Sequence, residues 1–215
     1  MKIRATTELV DFLDQTLAWR RKEITSLHFC IQRANRDHER KTLIRAAIPI
    51  LYAHWEGFSK RACEAYLELV SRRGLPYEQL KTNFLAIASK GAIREAGQSN
   101  QMQLYLNVIE FATFNQGNVG NFTFNGSIDA EDNLSSRVFR NLLTTLGFVC
   151  DDYFASRFLL LDGSLLKWRN EIAHGERTQA SDPDYDQLHH LVIQLVDHLK
   201  TLLENSAVTE SYRRQ

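Results

Sequence analysis

Cysteine pairs, long apolar runs and an excess of one charge are all missing from this chain of 215 residues. Its cysteines are odd in number, far apart and never in a C-x-x-C pair, at Cys30, Cys63 and Cys150. The sequence therefore indicates neither a disulfide framework nor a zinc site, and we expect reduced thiols in the core.

Membrane and targeting segments are also missing from the pattern. No run approaches the roughly 20 apolar residues that a membrane span needs, and the first residues contain no apolar signal-peptide core. Lys plus Arg and Asp plus Glu number 26 each, so the net charge provides no long-range attraction to nucleic acid or to an anionic membrane. We expect a soluble, cytoplasmic protein in which any anion binding is local.

The composition is that of an ordinary globular protein, with 44% hydrophobic and 24% charged residues. The length is sufficient for a full hydrophobic core and lies within the size range of one domain. We therefore expect a single domain over residues 1–215.

Apolar residues recur at helical spacings of three and four along most of the chain. This pattern predicts long helices over 8–35 and 37–72, shorter ones over 77–90 and 101–114, one that begins at Ser135 or Ser136, and two more over 164–174 and 183–204. The expected fold class is all-α, with long antiparallel helices.

Three local features modify this expectation. Pro49 removes the hydrogen bond to the Arg45 carbonyl, which predicts a kink in the second helix. Gly91 is free to adopt the left-handed conformation that closes the third. Asn125-Gly126, with alternating residues around it, predicts one small β-hairpin inserted between helices.

One segment near the end of a predicted helix combines side chains that suit phosphoryl chemistry. Arg169 is a permanent cation with a planar fork of donors, His174 carries an imidazole, and Asn170 has an amide that can orient either group. Arg169 and His174 lie about 140° apart around a helix axis, whereas Asn170 and His174 lie one turn apart. Leu165, Leu166 and Ile172 mark the core side, so the three polar side chains share an edge.

A purely structural interpretation explains the same spacing. His174 at the end of a helix is favourable against the helix dipole, and Arg169 could pair with a surface acid such as Glu171 or Glu176. On spacing alone this structural interpretation is favoured.

Two stretches carry a family resemblance. Arg169-Asn170-Glu171-Ile172-Ala173-His174 resembles the R-x4-6-H signature of the HEPN superfamily, and the segment from Tyr52 to Lys60 (YAHWEGFSK) is similar to the second-helix pattern of its MAE-like branch. The resemblance implies a helical bundle of HEPN type that dimerises, so that two R-x4-H segments face one another and form a metal-independent endoribonuclease site.

The resemblance also assigns roles. Arg169 and His174 would be catalytic and Asn170 supporting, with RNA as substrate and no cofactor. Many such proteins belong to toxin-antitoxin or phage-defence loci, which implies an antitoxin or another defence-locus protein as a possible partner. Some members carry a tyrosine two residues after the histidine that a partner enzyme modifies; Glu176 occupies that position here, which argues against this mode of neutralisation.

The segment around Glu56 allows two interpretations. Glu56 could reach the Arg169 guanidinium and fix its orientation, or it could be an ordinary solvated glutamate. Gly57 costs about 1 kcal/mol against alanine in a helix interior, which indicates that another group approaches closely there. Lys60 and Arg61 could extend a phosphate-binding edge to contact RNA, but ordinary surface charge is the favoured interpretation of both.

Two other clusters have weaker patterns. A basic run could follow an RNA backbone, but acids interrupt it and a solvated turn is favoured; it comprises Arg33, Arg36, Arg40, Lys41 and Arg45. Asp186, His189 and His190 have helix-turn spacing for metal ligands, yet they make a poor ligand set and no metal site is predicted. His28 and His54 fit core histidines.

Three functions remain to be separated. The leading hypothesis is a homodimeric HEPN-type endoribonuclease that cuts RNA by 2′-hydroxyl attack, as a toxin or phage-defence effector. The alternative is a non-catalytic HEPN-like module that binds a nucleotide, RNA or a protein. A structural adaptor would lose no activity when His174 is replaced.

Overall fold

A computed structural model of the chain describes residues 2–122, 128, 133–177 and 180–214, and most of these residues are helical. The first part contains helices α1 (Thr6–Arg33), α2 (Asp37–Arg72), α3 (Thr82–Gly97), α4 (Met102–Phe114) and α5 (Ser136–Thr145), with a 3₁₀ turn at Tyr77–Gln79. The second part contains α6 (Asp152–Ala155), α7 (Phe158–Leu160), a π-helical segment at Leu161–Leu166, α8 (Lys167–Ala173) and α9 (Asp182–Val208). The predicted all-α class is confirmed.

The three longest helices enclose most of the core. α2 packs against both α1 and α9, and these two also contact each other. Leu13, Leu51 and Leu195, one from each helix, are completely buried. Burial of such a side chain stabilises the fold by about 1.5 to 3 kcal/mol, so this three-helix contact contributes strongly to stability.

Several predicted boundaries are confirmed. α2 begins and ends at the expected residues, and α9 begins one residue earlier than expected. Ser181 caps α9, since its hydroxyl accepts a hydrogen bond from the Asp184 backbone (3.4 Å). Ser135 caps α5 in the same way through the Val138 N–H (3.3 Å). Pro49 lies inside α2, where the kink stays a prediction.

The predicted end of the third helix at Gly91 is wrong. α3 continues to Gly97, and Gly91 lies inside it, with a φ outside the left-handed region. The helix continues because good helix formers follow and Ala96 packs in the interior at 3% exposure. The predicted hairpin at Asn125-Gly126 lies outside the described residues.

The helix expected to begin at Ser164 begins earlier. Helical backbone continues from α7 through the π-helical segment into α8, so that Phe158, Leu161 and Leu165 all face the core. Their spacing of three and four was a usable signal, but adjacent apolar residues and Gly163 obscured it. In the described ranges, no helix is both long and apolar enough to span a membrane.

Candidate active site

The π-helical segment that leads into α8 is fixed to the start of α5. Asp162, in the π-helical segment, accepts hydrogen bonds from the Ser136 backbone N–H (2.9 Å) and from the Ser136 hydroxyl. Leu165 anchors the same segment in the core. The chain just before α5 is thereby held beside α8, and residues 133–136 become part of the site. π-helical turns of this kind are frequent at functional sites.

Arg169 is held by neutral groups. One guanidinium nitrogen, Nη1, donates to the side-chain oxygens of Asn133 and Asn170, each at 2.7 Å. The guanidinium carbon lies 4.7 Å from the centre of the Tyr52 ring, within cation–π distance. These contacts orient the guanidinium without cancelling its charge.

No carboxylate in the described part of the chain forms an ion pair that neutralises the charge of Arg169. Neither Glu171 nor Glu176 forms an ion pair with it, and Glu171 lies 3.9 Å from Lys167 instead. The structural interpretation, in which Arg169 pairs with a surface acid, therefore has no support from these contacts. A half-buried cation with neutral partners is an arrangement that favours binding of an anion.

Tyr52 forms a rigid platform under Arg169. Its ring is 2% exposed, and its hydroxyl oxygen accepts a hydrogen bond from the Leu134 N–H (2.7 Å). Burial raises the pKa of Tyr52, and the Glu56 carboxylate raises it further. The hydrogen bond from Leu134 and the positive charge of Arg169 act in the opposite direction. The net direction is upward, so the phenol stays neutral. Trp55 Nε1 donates to the Leu134 carbonyl (3.4 Å) and holds the same loop.

Of the two interpretations of Glu56, the direct contact with Arg169 is not formed. Glu56 Oε1 lies 3.7 Å from Lys60 Nζ on the next turn of α2, and Glu56 also acts electrostatically on Tyr52. Tyr52 contacts Arg169 through its ring face. Glu56 is therefore connected to Arg169 only indirectly, through the tyrosine.

His174 lies at the end of α8 and is exposed to solvent. Gly175 follows with a φ of 79°, a left-handed conformation that glycine adopts without strain. The Gly175 N–H donates to the Ile172 carbonyl (3.0 Å) and the Glu176 N–H to the Glu171 carbonyl (2.8 Å), which together form a Schellman motif. The backbone at His174 is thus fixed while its imidazole remains accessible.

Gly57 confirms the expected close approach. A Cβ atom at this position would lie 3.3 Å from Arg20 Nη2 on α1. Arg20 is 5% exposed, and its Nη1 donates to the Thr16 carbonyl (2.7 Å). Burial lowers the pKa of Arg20, and the positive charge of the exposed Arg61 lowers it further.

A groove of about 650 Å³ begins one residue beyond His174. It lies between the first half of α2 and the segment that joins α8 to α9, and its described lining comprises Lys41, Thr42, Ile44, Arg45, Ile48, Gly175, Glu176, Arg177, Ala180 and Ser181. Two residues of the basic run therefore belong to a cavity. Of the others, Arg36 pairs with Glu39 (3.1 Å) and Arg40 with Asp182 (3.1 Å).

Three of the histidines away from α8 lie at contacts between helices. His54 is 5% exposed and its Nε2 lies 2.9 Å from Glu23. His28 and His189 stack with ring centres 4.4 Å apart at the contact of α1 and α9. Across the described residues, no group of three or more His, Cys, Asp or Glu side chains is placed to hold a metal ion.

Sequence reasoning missed Asn133 and the role of Tyr52. Asn133 lies 36 residues from Arg169 in the chain, and no spacing rule connects the two. Tyr52 belongs to the segment that carries the family resemblance, so that segment contained a signal for it. Both residues position Arg169 through contacts that only the tertiary structure reveals.

The all-α fold and the R-x4-H segment at the end of α8 are those of a HEPN-type protein. A model of the HEPN_MAE_28990 family, an MAE-like HEPN family, matches residues 9–212. The chain therefore belongs to the MAE-like HEPN family. HEPN domains are often nucleases or RNA-binding modules, and they often dimerise. Searches of curated proteins and of solved structures each give no match.

Proposed function

We propose that this protein is a homodimeric, metal-independent endoribonuclease that cleaves RNA by attack of the substrate's own 2′-hydroxyl. The observation that carries the proposal is the state of Arg169. Its guanidinium is oriented by two amide oxygens and an aromatic face, and no described carboxylate neutralises it. His174, with an exposed imidazole, lies five residues further on.

The 2′-hydroxyl is the nucleophile that needs least from the protein. It is already held beside the phosphorus, so the enzyme must supply only proton transfer and charge stabilisation. His174 removes the 2′ proton while the 2′ oxygen attacks phosphorus and the bond to the 5′ oxygen breaks. The products are a 2′,3′-cyclic phosphate and a free 5′-hydroxyl.

Arg169 stabilises the charge that develops during this step. Its free guanidinium nitrogens bind the non-bridging phosphate oxygens as negative charge builds in the transition state. Asn170 holds Arg169 and lies one turn before His174, which makes it a supporting residue. Tyr52 and Asn133 act on the reaction only through the position of Arg169.

A second copy of the chain completes the chemistry. The leaving 5′ oxygen needs a proton, and a single R-x4-H segment provides only one imidazole. Two-fold symmetry brings a second His174 to the same active site without any new sequence. A general acid and a general base each contribute typically ~10²- to 10⁴-fold to the rate.

Incubation with total cellular RNA in excess chelator tests the proposal. We expect wild-type protein to fragment RNA, and the His174→Ala and Arg169→Ala variants to leave it intact while keeping wild-type circular dichroism spectra. Cleavage that requires a divalent metal, or full activity of His174→Ala, would overturn the scheme. For the proposed toxin or defence role, we expect induced wild-type protein, but not His174→Ala, to arrest bacterial growth.

A non-catalytic binding module is the second candidate, and the same uncompensated Arg169 favours it. A guanidinium without a carboxylate partner binds a phosphate whether or not cleavage follows. This candidate predicts that intact RNA binds and survives, and that Arg169→Ala weakens the binding while His174→Ala does not.

A further inference from the structure

Beside His174, the groove between α2 and the α8–α9 connection has the chemistry of a phosphate subsite. Three of its described lining residues are cationic, Lys41, Arg45 and Arg177, against one acid, Glu176. The proposed function places the scissile phosphate at Arg169 and His174 and does not use these cations.

Arg45 is the central feature of this groove. Arg45 belongs to the lining of the cavity, and its Nη1 is buried without a hydrogen-bond acceptor. No acid in the described ranges forms an ion pair with it, in contrast to Arg36, Arg40 and Lys41 of the same basic run. An unpaired buried donor on a cation is costly, and a bound anion would remove that cost.

The rest of the described lining adds little apolar surface for a ligand. Ile44 and Ile48 lie beneath the groove at 1% and 0% exposure and form its closed floor. Lys41 and Arg177 are exposed on the same groove. The N-terminus of α9 is not an anion site of its own, because Ser181 and Asp184 satisfy each other there.

We propose that the groove around Arg45 binds the backbone phosphate of the nucleotide next to the cleaved bond, and so makes the protein prefer RNA strands that extend beyond one dinucleotide. The inference rests on the proposed ribonuclease function. Arg45, Lys41 and Arg177 are then specificity-determining residues, and they do not take part in bond breaking.

The test compares cleavage of a dinucleotide and of a dodecamer of single-stranded RNA by the full chain. We expect Arg45→Gln to raise KM for the dodecamer about tenfold and to leave dinucleotide cleavage unchanged, since one phosphate contact is lost. Arg177→Gln should give the same pattern. Because Arg177 is exposed, this variant still tests the subsite if Arg45→Gln perturbs the fold. Arg33→Gln, in the same basic run but outside the groove, is the matched control.

Binding separates failure of this inference from failure of the proposed function. Fluorescence anisotropy of the labelled dodecamer on His174→Ala protein should show about tenfold weaker affinity with Arg45→Gln added. The slope of log K against log salt should be about one unit shallower. If wild-type protein cuts no RNA but these binding changes appear, the nuclease proposal fails and the subsite stands. Equal KM or affinity in the Arg45, Arg177 and Arg33 variants would overturn the subsite.

Discussion

Arg169 depends on a residue that no local pattern identifies. Asn133 Oδ1 accepts a hydrogen bond from the guanidinium at 2.7 Å, across a gap of 36 residues in the chain. Asn133→Ala removes this acceptor but leaves the charge, so we expect the guanidinium to lose its orientation.

For Asn133→Ala we expect kcat to fall about tenfold with KM nearly unchanged, because the lost orientation matters most in the transition state. Steady-state cleavage of a labelled RNA oligonucleotide measures both constants. Asn141→Ala, on an exposed position of α5, is the control. An Asn133→Ala enzyme with wild-type kcat would show that Asn133 does not position Arg169.

Two helical glycines offer a matched test of close packing. A Cβ atom added at Gly91 would meet no other atom within 4 Å, so Gly91→Ala should raise the free energy of unfolding by about 1 kcal/mol through helix propensity. Gly57→Ala should raise the free energy of unfolding by clearly less, because its Cβ must push aside the buried Arg20 guanidinium. Urea unfolding measures both changes, and an equal gain in the two variants would contradict the close approach.

At the scale of helices, periodicity identified the long elements and failed at the irregular ones. α2 and α9 repeat their apolar residues over many turns, and α9 also carries a clear cap, so their bounds were close to predictable. Gly91 looked like a helix end because the residue type permits one, whereas packing of Ala96 carries α3 past it. The π-helical segment shifts the register before α8, which no regular period anticipates.

In the candidate active site, too, the local segment was predictable from the sequence and the tertiary contacts were not. Arg169, Asn170 and His174 lie in one short segment, and a sequence motif was enough to single them out. Leu134 contacts Tyr52 across 82 residues and Asp162 contacts Ser136 across 26. Such contacts depend on how helices pack together, so spacing within the chain cannot reveal them.

The contact of α1 with α9 should respond to acid. Both ring nitrogens of His189 are buried without a hydrogen-bond partner in the described structure, and its ring stacks on His28. Burial, together with the nearby His28 and His190, lowers the pKa of His189 to about 4, and Asp186 opposes this shift. Between pH 4 and 6.5 the unfolded chain therefore binds more protons at this residue than the folded chain does.

The free energy of unfolding should consequently fall as the pH drops from 7 towards 4, with His189 contributing on the order of 2 kcal/mol of that loss. Above pH 7 its contribution is constant. Urea unfolding at pH 7 and at pH 4 should show that His189→Leu loses less unfolding free energy in acid than the wild type does. His190→Leu, at the exposed neighbouring position, removes only one of the smaller causes of the shift and should keep most of the wild-type loss of stability. Equal losses in all three proteins would contradict the account.

The whole molecule should be a dimer with its two motifs face to face. Sedimentation equilibrium at micromolar concentration should give twice the 24.8 kDa mass of one chain. In a Cys30→Ser background, which removes an exposed natural thiol, Glu176→Cys should form a disulfide-linked dimer under mild oxidation. Lys22→Cys, on exposed α1, serves as the control. A monomer, or equal cross-linking of both variants, would refute this arrangement.

Attack by the substrate's own 2′-hydroxyl is the central claim, and a DNA strand with a single ribonucleotide tests it most directly. In excess chelator, wild-type protein should cut this strand only after the ribonucleotide, and mass spectrometry should find a 2′,3′-cyclic phosphate on one product and a 5′-hydroxyl on the other. A 2′-O-methyl group at that nucleotide should stop cleavage, as should His174→Ala. Cleavage of the methylated strand, or a 5′-phosphate on the product, would contradict the mechanism.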